Sequence, residues 1–492
     1  MYDSIVGLVG IPVIGAIVIM MLPVNEVEDK ERVKTIGLIV TVLTLIESIR
    51  LWWRFDQTTS EYQFVSKIQW VVESGVGSVN YMMFGIDGIS MIFIILTTIL
   101  MPISILVSWE SIKYMEKAFI LCIIGIEVLL IGVFTVIDIL GFYVLFEGVL
   151  IPMYIIIGVW GSRSEKVRAA YYFFFYTLIG SVLMLLGIIY LYKIVGTTDY
   201  TLLLNYEIGE EEQKWIFLAL FASLAVKIPK WPFHIWLPQA HVEAPVAGSV
   251  LLAGILIKLG GYGFIRFVIP LLPIGAEVFT PLVYTLGVVA IIYASITTIR
   301  QTDMKRIIAY SSVGHMGVVM LAIFSKSVIG IEGAIFMQLA HGIVSSGLFI
   351  LVTMLYDKHH TRLVKYYRGL ATTMPIFASI FLVLTLANIG APLTCNFIGE
   401  LTSLMAAYQK NQLIGILGSI GMVLSASYAL FLYNRITFGS VSKYLAPEEN
   451  RDINRREWMV ISPILVLTIL LGIYPNIIYD TMHSSVIALL GQ

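Results

Sequence analysis

Long apolar runs alternate along the chain with short polar stretches. A spanning helix needs ~20 mostly apolar residues. That template places fourteen spans, roughly at 3–22, 35–53, 84–107, 118–137, 139–158, 169–192, 215–235, 246–268, 279–299, 305–323, 329–355, 374–405, 410–434 and 459–479. The runs are far longer than the ~10 residues of a barrel strand and do not alternate in and out, which excludes a closed β-barrel. The first run has no small-residue cleavage site behind it and reads as a span, not a removed signal peptide. The prediction is an all-α polytopic membrane protein.

No connection exceeds roughly 30 residues, so residues 1–492 form a single membrane domain. The longest connection, about 54–83, holds Phe64-Val65, Trp70-Val71-Val72, Gly75 and Gly77, and reads as a packed interfacial loop. Gly260-Gly261-Tyr262-Gly263 lies inside span eight and reads as helix packing, not nucleotide binding.

Composition removes the alternatives. Of 492 residues, 58% are hydrophobic and 13% charged, with a mean hydropathy of +0.90. Soluble domains are ~45–50% apolar and ~25% charged, so a soluble enzyme and a disordered chain are both excluded. The net charge of −1 and the lack of a basic stripe argue against nucleic acid as a partner. Cys122 and Cys395 are too few to hold an iron–sulfur cluster and read as buried small hydrophobes.

Lysine and arginine give the sidedness. Odd-numbered connections hold twenty of them and even-numbered connections eight. The excess puts odd connections on the cytoplasmic or matrix side and both termini on the opposite side. The remaining three are Lys227, Lys230 and Lys258, in or beside apolar spans.

An ionisable side chain at mid-membrane costs ~2.5–3.5 kcal/mol on the gentlest insertion scale. Each therefore needs a reason. Four stand out by depth: Glu147 in span five, Lys227 in span seven, Lys258 in span eight and Glu400 in span twelve. Glu127 in span four, His315 in span ten and His341 in span eleven join them. One reading is that such charges pair and hold helices together. The other is a proton relay, because desolvation brings lysine and glutamate toward the working range of histidine. The number of such groups in a chain otherwise stripped of charge favours the relay. Glu127 fits helix packing equally well, and Asp87 and Asp138, near span ends, read as helix caps.

Two spans are interrupted. Span seven contains Pro229 and Pro232, and span twelve contains Gly390 and Pro392. Broken helices survive at membrane depth only where freed backbone lines a polar cavity or is covered by protein. Breaks at matching places in two halves point to an inverted repeat. The repeats would be five helices each, spans four to eight (118–268) and nine to thirteen (279–434), each a half-channel.

The run from Ala225 to Ser249, AVKIPKWPFHIWLPQAHVEAPVAGS, resembles the signature of the antiporter-like subunits of respiratory complex I. So do Leu252-Ala-Gly-Ile-Leu-Ile-Lys258, Phe146-Glu147-Gly-Val-Leu-Ile-Pro-Met-Tyr154 and Lys305-Arg-Ile-Ile-Ala-Tyr-Ser-Ser312 with His315. The resemblance runs from about span three to span fourteen. Within the family, Glu400 marks the branch with glutamate where the chain 2 and chain 5 branches and sodium/proton antiporters typically have lysine. Fourteen spans, and an end about thirteen residues past the last one, fit that branch too.

The resemblance implies a core membrane-arm subunit that translocates protons, driven by NADH-to-ubiquinone electron transfer in other subunits. Glu147 would pair with Lys227, Lys258 would pass protons onward, His315 and His341 would connect it, and Glu400 would deliver them. It implies no cofactor in this chain, with NADH, FMN, iron–sulfur clusters and ubiquinone held elsewhere in the complex. Partners would be chain 2-like and chain 5-like neighbours and lipids. Abundant Ile, Phe and Tyr suit an organelle-encoded chain of the mitochondrial inner membrane; a bacterial cytoplasmic membrane would look much the same. The rival is a subunit of a multi-subunit sodium/proton antiporter or a membrane-bound hydrogenase.

Overall fold

The computed structural model describes residues 5–23, 27–72, 79–442, 444 and 452–491. Its long elements are helices. In chain order these are α1 (Ile5–Met21), α2 (Val27–Arg54), α3 (Gly88–Ser108), α4 (Glu116–Thr135), α5 (Ile139–Trp160) and α6 (Lys166–Val195). Then come α7 (Glu210–Lys227), α8 (Trp236–Glu243), α9 (Val246–Leu271), α10 (Thr280–Ile299), α11 (Met304–Ile323) and α12 (Val328–His359). The last are α13 (Pro375–Ile389), α14 (Cys395–Lys410), α15 (Gln412–Thr437), α16 (Arg455–Ile473) and α17 (Asn476–Leu490).

Eleven helices among the described residues are long and apolar enough to cross a membrane. The other three expected spans fall on shorter pieces. The first is α1, of 17 residues. The seventh is α7 with α8, and the twelfth is α13 with α14. Length and composition thus qualify eleven single helices as crossings, and the three remaining expected spans are built of shorter pieces.

Polar residues at the turns start the helices. Asp87 accepts from Ser90 N at 2.9 Å and Asp138 from Gly141 N at 2.6 Å. Asp303 accepts from Lys305 N at 2.9 Å, and Ser327 from Gly330 N at 3.1 Å. Each such cap stabilises its helix by about 0.5–2 kcal/mol. Asp87 and Asp138 are thus the helix caps expected of them.

Helices apolar on every side belong inside. The most apolar stretches of α9 and α12 are wholly enclosed by protein, with α3 and α11 nearly so. Around them, α2, α6, α15 and α16 keep much of their surface outward. Gly260 allows the close approach at the centre: a Cβ there would lie 2.8 Å from Leu224 O of α7.

The connection at 54–83 differs from expectation. It forms a two-stranded antiparallel ribbon, β1 (Gln63–Val72) and β2 (Val79–Ile86), with Lys67 opposite Met83 and Ser66 opposite Phe84. Two runs rich in Val, Ile, Phe and Tyr, too short to span, pair instead. Met83 O accepts from Ile137 N at 2.9 Å, which ties the ribbon to the turn between α4 and α5. Gly75 and Gly77 lie outside the described residues.

Candidate functional site

The first break follows from two prolines. Pro229 lacks an N–H and cannot continue α7, which ends at Lys227. Lys230 N then reaches back to Ala225 O at 3.0 Å. Pro232, behind a cis peptide bond, completes the break, and helix resumes at Trp236. Lys227 is buried as the last residue of its helix, where the carbonyl end of the dipole favours a cation. Its Nζ has no hydrogen-bond partner. It lies over the Phe146 ring at 4.5 Å and faces Phe173 at 5.9 Å. Lys230 is also buried, and its Nζ donates to Val283 O of α10 at 3.1 Å.

Glu147 follows Phe146 in α5. Pro152 cannot donate to the carbonyl of Gly148, and the helix loosens at Val149. Glu147 is half-buried, with Oε1 unpartnered. Glu147 and Lys227, expected to pair, share no hydrogen bond: Oε1 and Nζ are both unpartnered, and Nζ faces the Phe146 ring.

Lys258 sits behind a π-helical turn at Leu252–Leu256. There Ile257 N bonds to Leu252 O, five residues back, at 3.3 Å. That leaves the carbonyl of Ala253 to accept from Lys258 Nζ. The same Nζ meets His341 Nδ1 at 2.9 Å. The His341 and His315 rings lie 5.4 Å apart between centroids. His315 Nδ1 is 2.9 Å from Glu400 Oε1, and its Nε2 is 3.2 Å from Asn388 Oδ1. Lys258, His341, His315 and Glu400 thus form one buried line across α9, α12, α11 and α14.

Both His315 nitrogens face acceptors, which suits the doubly protonated ring. Turning the Asn388 amide over presents a donor and suits the neutral ring. The His315 ring thus finds partners for both nitrogens, while Glu400 Oε2 has none. The second break makes room for it. Gly390 ends α13 at φ +80°, and a Cβ there would lie 2.5 Å from Glu400 Oε2. Pro392 follows before α14 begins at Cys395. A cavity with about 20 Å³ of room adjoins His315 and Glu400, lined also by Ser295, Ser311 and Tyr428. A water needs ~10–15 Å³ of such room.

Several groups escaped the sequence reading. His241 is buried, with both ring nitrogens unpartnered and its ring stacked on Phe349 at 4.5 Å. Its signal was present, since it lies within the long run from Ala225 to Ser249. Four cations counted among the connections are buried among the described residues, the first being Lys34, whose Nζ donates to Trp109 O at 2.8 Å. Lys305 Nζ donates to Ala244 O at 3.1 Å and Ser249 Oγ at 3.3 Å. Arg362 donates to Val242 O and, at 2.5 Å, to Ser162 Oγ. Arg266 pairs with Asp87 at 2.5 Å. Lys443 and Arg451, also used for sidedness, lie outside the described residues. Glu127 is buried with both carboxyl oxygens unpartnered. Cys395 is buried as expected, while Cys122 is only half-buried.

Residues 136–425 match the family described as NADH:quinone oxidoreductase/Mrp antiporter, TM. Residues 33–133 match NADH-ubiquinone oxidoreductase chain 4, amino terminus. NADH-ubiquinone oxidoreductase chain 4 of Metridium senile is 54% identical over 474 residues, covering 96% of this chain and 95% of that one. The chain 4 protein of Marchantia polymorpha is 49% identical over 485 residues, covering 99% and 96%. Among solved structures, a chain of respiratory complex I from Thermus thermophilus with bound NADH superposes with a TM-score of 0.87 at 28% identity, covering 99% of each chain. By these matches the chain belongs to the NADH-ubiquinone oxidoreductase chain 4 family.

Proposed function

We propose that this chain is a proton-translocating subunit of the membrane arm of complex I, driven by NADH-to-ubiquinone electron transfer in other subunits. The carrying observation is the buried line Lys258–His341–His315–Glu400, with contacts of 2.9 Å at each end and the two imidazole rings 5.4 Å apart between them. Each member exchanges a proton on nitrogen or oxygen, and each has a neighbour to receive it. Lys227 stands at the head of the first half, with the charge of Glu147 tuning it through space. A change in the Glu147–Lys227 separation alters the lysine's hold on its proton. Glu400 delivers to the far side.

The two half-channels are residues 118–268 and 279–434. A long helix runs beside the broken one in each: α6 along α7, and α12 along α14. The chain sits in the mitochondrial inner membrane with its odd connections toward the matrix and both termini opposite. Its neighbours are chain 2-like and chain 5-like subunits, with lipid on the remaining surface.

The test is Lys227→Ala in the assembled complex, in sealed membrane vesicles. Assembly is read on a native gel, turnover as NADH oxidation and pumping as acidification. Assembly persists and coupled pumping is abolished. Pumping and turnover both unchanged would remove Lys227 from the pathway.

A further inference from the structure

Glu332 lies near the start of α12, on the even-connection side, almost wholly buried. His483 of α17 meets it, Nδ1 to Oε1, at 2.7 Å, and the histidine itself is 57% exposed. One end of this pair faces the interior and the other faces outward.

Between Glu400 and this pair lie hydroxyl groups. Ser403 is one turn beyond Glu400 on α14, buried, with its Oγ unpartnered. The helix runs from the break toward Lys410, in an even connection, so that turn moves ~4.5 Å toward the surface where Glu332 sits. Gly333, next to Glu332, brings the two helices together. A Cβ there would lie 2.7 Å from Thr402 Oγ1 and 2.9 Å from Ser403 N. Thr402 Oγ1 is 3.5 Å from Tyr479 Oη, whose ring stacks on Phe336 of α12 at 5.2 Å.

A purely mechanical role for the pair is weakened by redundancy. α17 is held elsewhere as well: Trp52 Nε1 donates to Thr481 Oγ1 at 3.1 Å, and Ser484 Oγ to Gln57 O at 2.5 Å. Gly88 N donates to Ser485 Oγ at 3.0 Å. The helix does not need His483 to stay docked. Nor does docking need a carboxyl group buried on the inner side.

We infer that Glu332 and His483 form the outward mouth of the second half-channel, receiving protons from Glu400 by way of Ser403 and the Thr402–Tyr479 hydroxyls. This rests on the relay reading above. A proton arriving at the Glu332 carboxylate binds an oxygen, and the His483 ring takes it up and releases it to water. The ring then returns to its starting charge.

The experiment compares Glu400→Gln, Glu332→Gln, His483→Gln and Ser484→Ala in the assembled complex in sealed vesicles, scored as protons translocated per NADH oxidised. Glu332→Gln loses as much yield as Glu400→Gln. His483→Gln keeps a hydrogen-bonding side chain but also loses yield, and Ser484→Ala loses none. A Glu332→Asp variant recovers part of the loss, which a packing defect would not allow. Full yield in Glu332→Gln and His483→Gln beside a loss in Glu400→Gln overturns the mouth and leaves the relay intact. Full yield in Glu400→Gln itself overturns the relay, and the mouth with it.

Discussion

In the first broken helix the buried charge closes a helix and has no hydrogen-bond partner; in the second it sits in the second turn of a new helix and is held by a histidine. Lys227 is matched by diffuse fields, the carbonyl end of α7 and the face of Phe146. Glu400 is matched by a discrete partner, His315, and by space cleared at Gly390. The contrast teaches that one device, an interrupted span, can either loosen a proton or hold it at a junction. Diffuse fields tolerate a neutral lysine. A bonded carboxylate ties its own state to that of the ring beside it.

Three experiments press on that contrast. The largest effect falls on the bonded side. His315→Phe leaves Glu400 and Asn388 facing an apolar ring, and removing one partner of a buried pair costs about 3–5 kcal/mol. Lys227→Met removes a charge with no hydrogen-bond partner to strand and leaves stability undiminished. Thermal inactivation of the two assembled variants, side by side, measures the gap; equal losses would erase the distinction. Next comes Gly390→Ala. Its φ of +80° disfavours any L side chain by about 1–2 kcal/mol, and the new methyl meets the Glu400 carboxylate. Alanine at Gly125, where a Cβ meets nothing within 4 Å, is the control and stays near the parent.

The smallest effect lies outside the spans. Glu277 accepts from Lys326 at 2.8 Å, and that bond holds its carboxyl below the ordinary value. A depressed folded value stabilises above the unfolded one and is lost as pH falls through it. Glu277 is 57% exposed, so Glu277→Gln costs less than about 1 kcal/mol. The difference from the parent shrinks on acidification, as thermal scans at descending pH would reveal. A large loss here would mean that surface pairs, not the buried line, set this molecule's stability.

Much of this was legible because water and lipid price residues so differently. A charge inside an apolar run announces itself, and so Glu147, Lys227, Lys258 and Glu400 stood out before any geometry was known. Proline announces a broken helix for the same reason, since a missing donor cannot be hidden. The pairings were less legible. Glu147 and Lys227 were expected to pair, and the lysine faces a phenyl ring with no hydrogen-bond partner. Arg362 and Lys305 looked like connection charges because sequence distance from an apolar run says nothing about what folds over it. The ribbon at 63–86 was read as an interfacial loop, because its apolar pieces are short and broken by polar residues and glycine. His241 was passed over because one histidine in a motif rich in Pro and Trp has many possible reasons.

The π-helical turn before Lys258 has one more consequence. Such a turn is one residue more than an α-helix needs, and a regular helix advances ~100° per residue. Deleting a single residue within 252–256 would take out that extra residue and restore regular α-helical bonding, so the carbonyl of Ala253 would return to a backbone donor. Lys258 would then lose an acceptor without itself being changed. A second such turn, at Phe264–Val268, contains Arg266. The surroundings of a buried charge are thus written partly as a count of residues, and a change of length can withdraw an acceptor without altering one functional side chain.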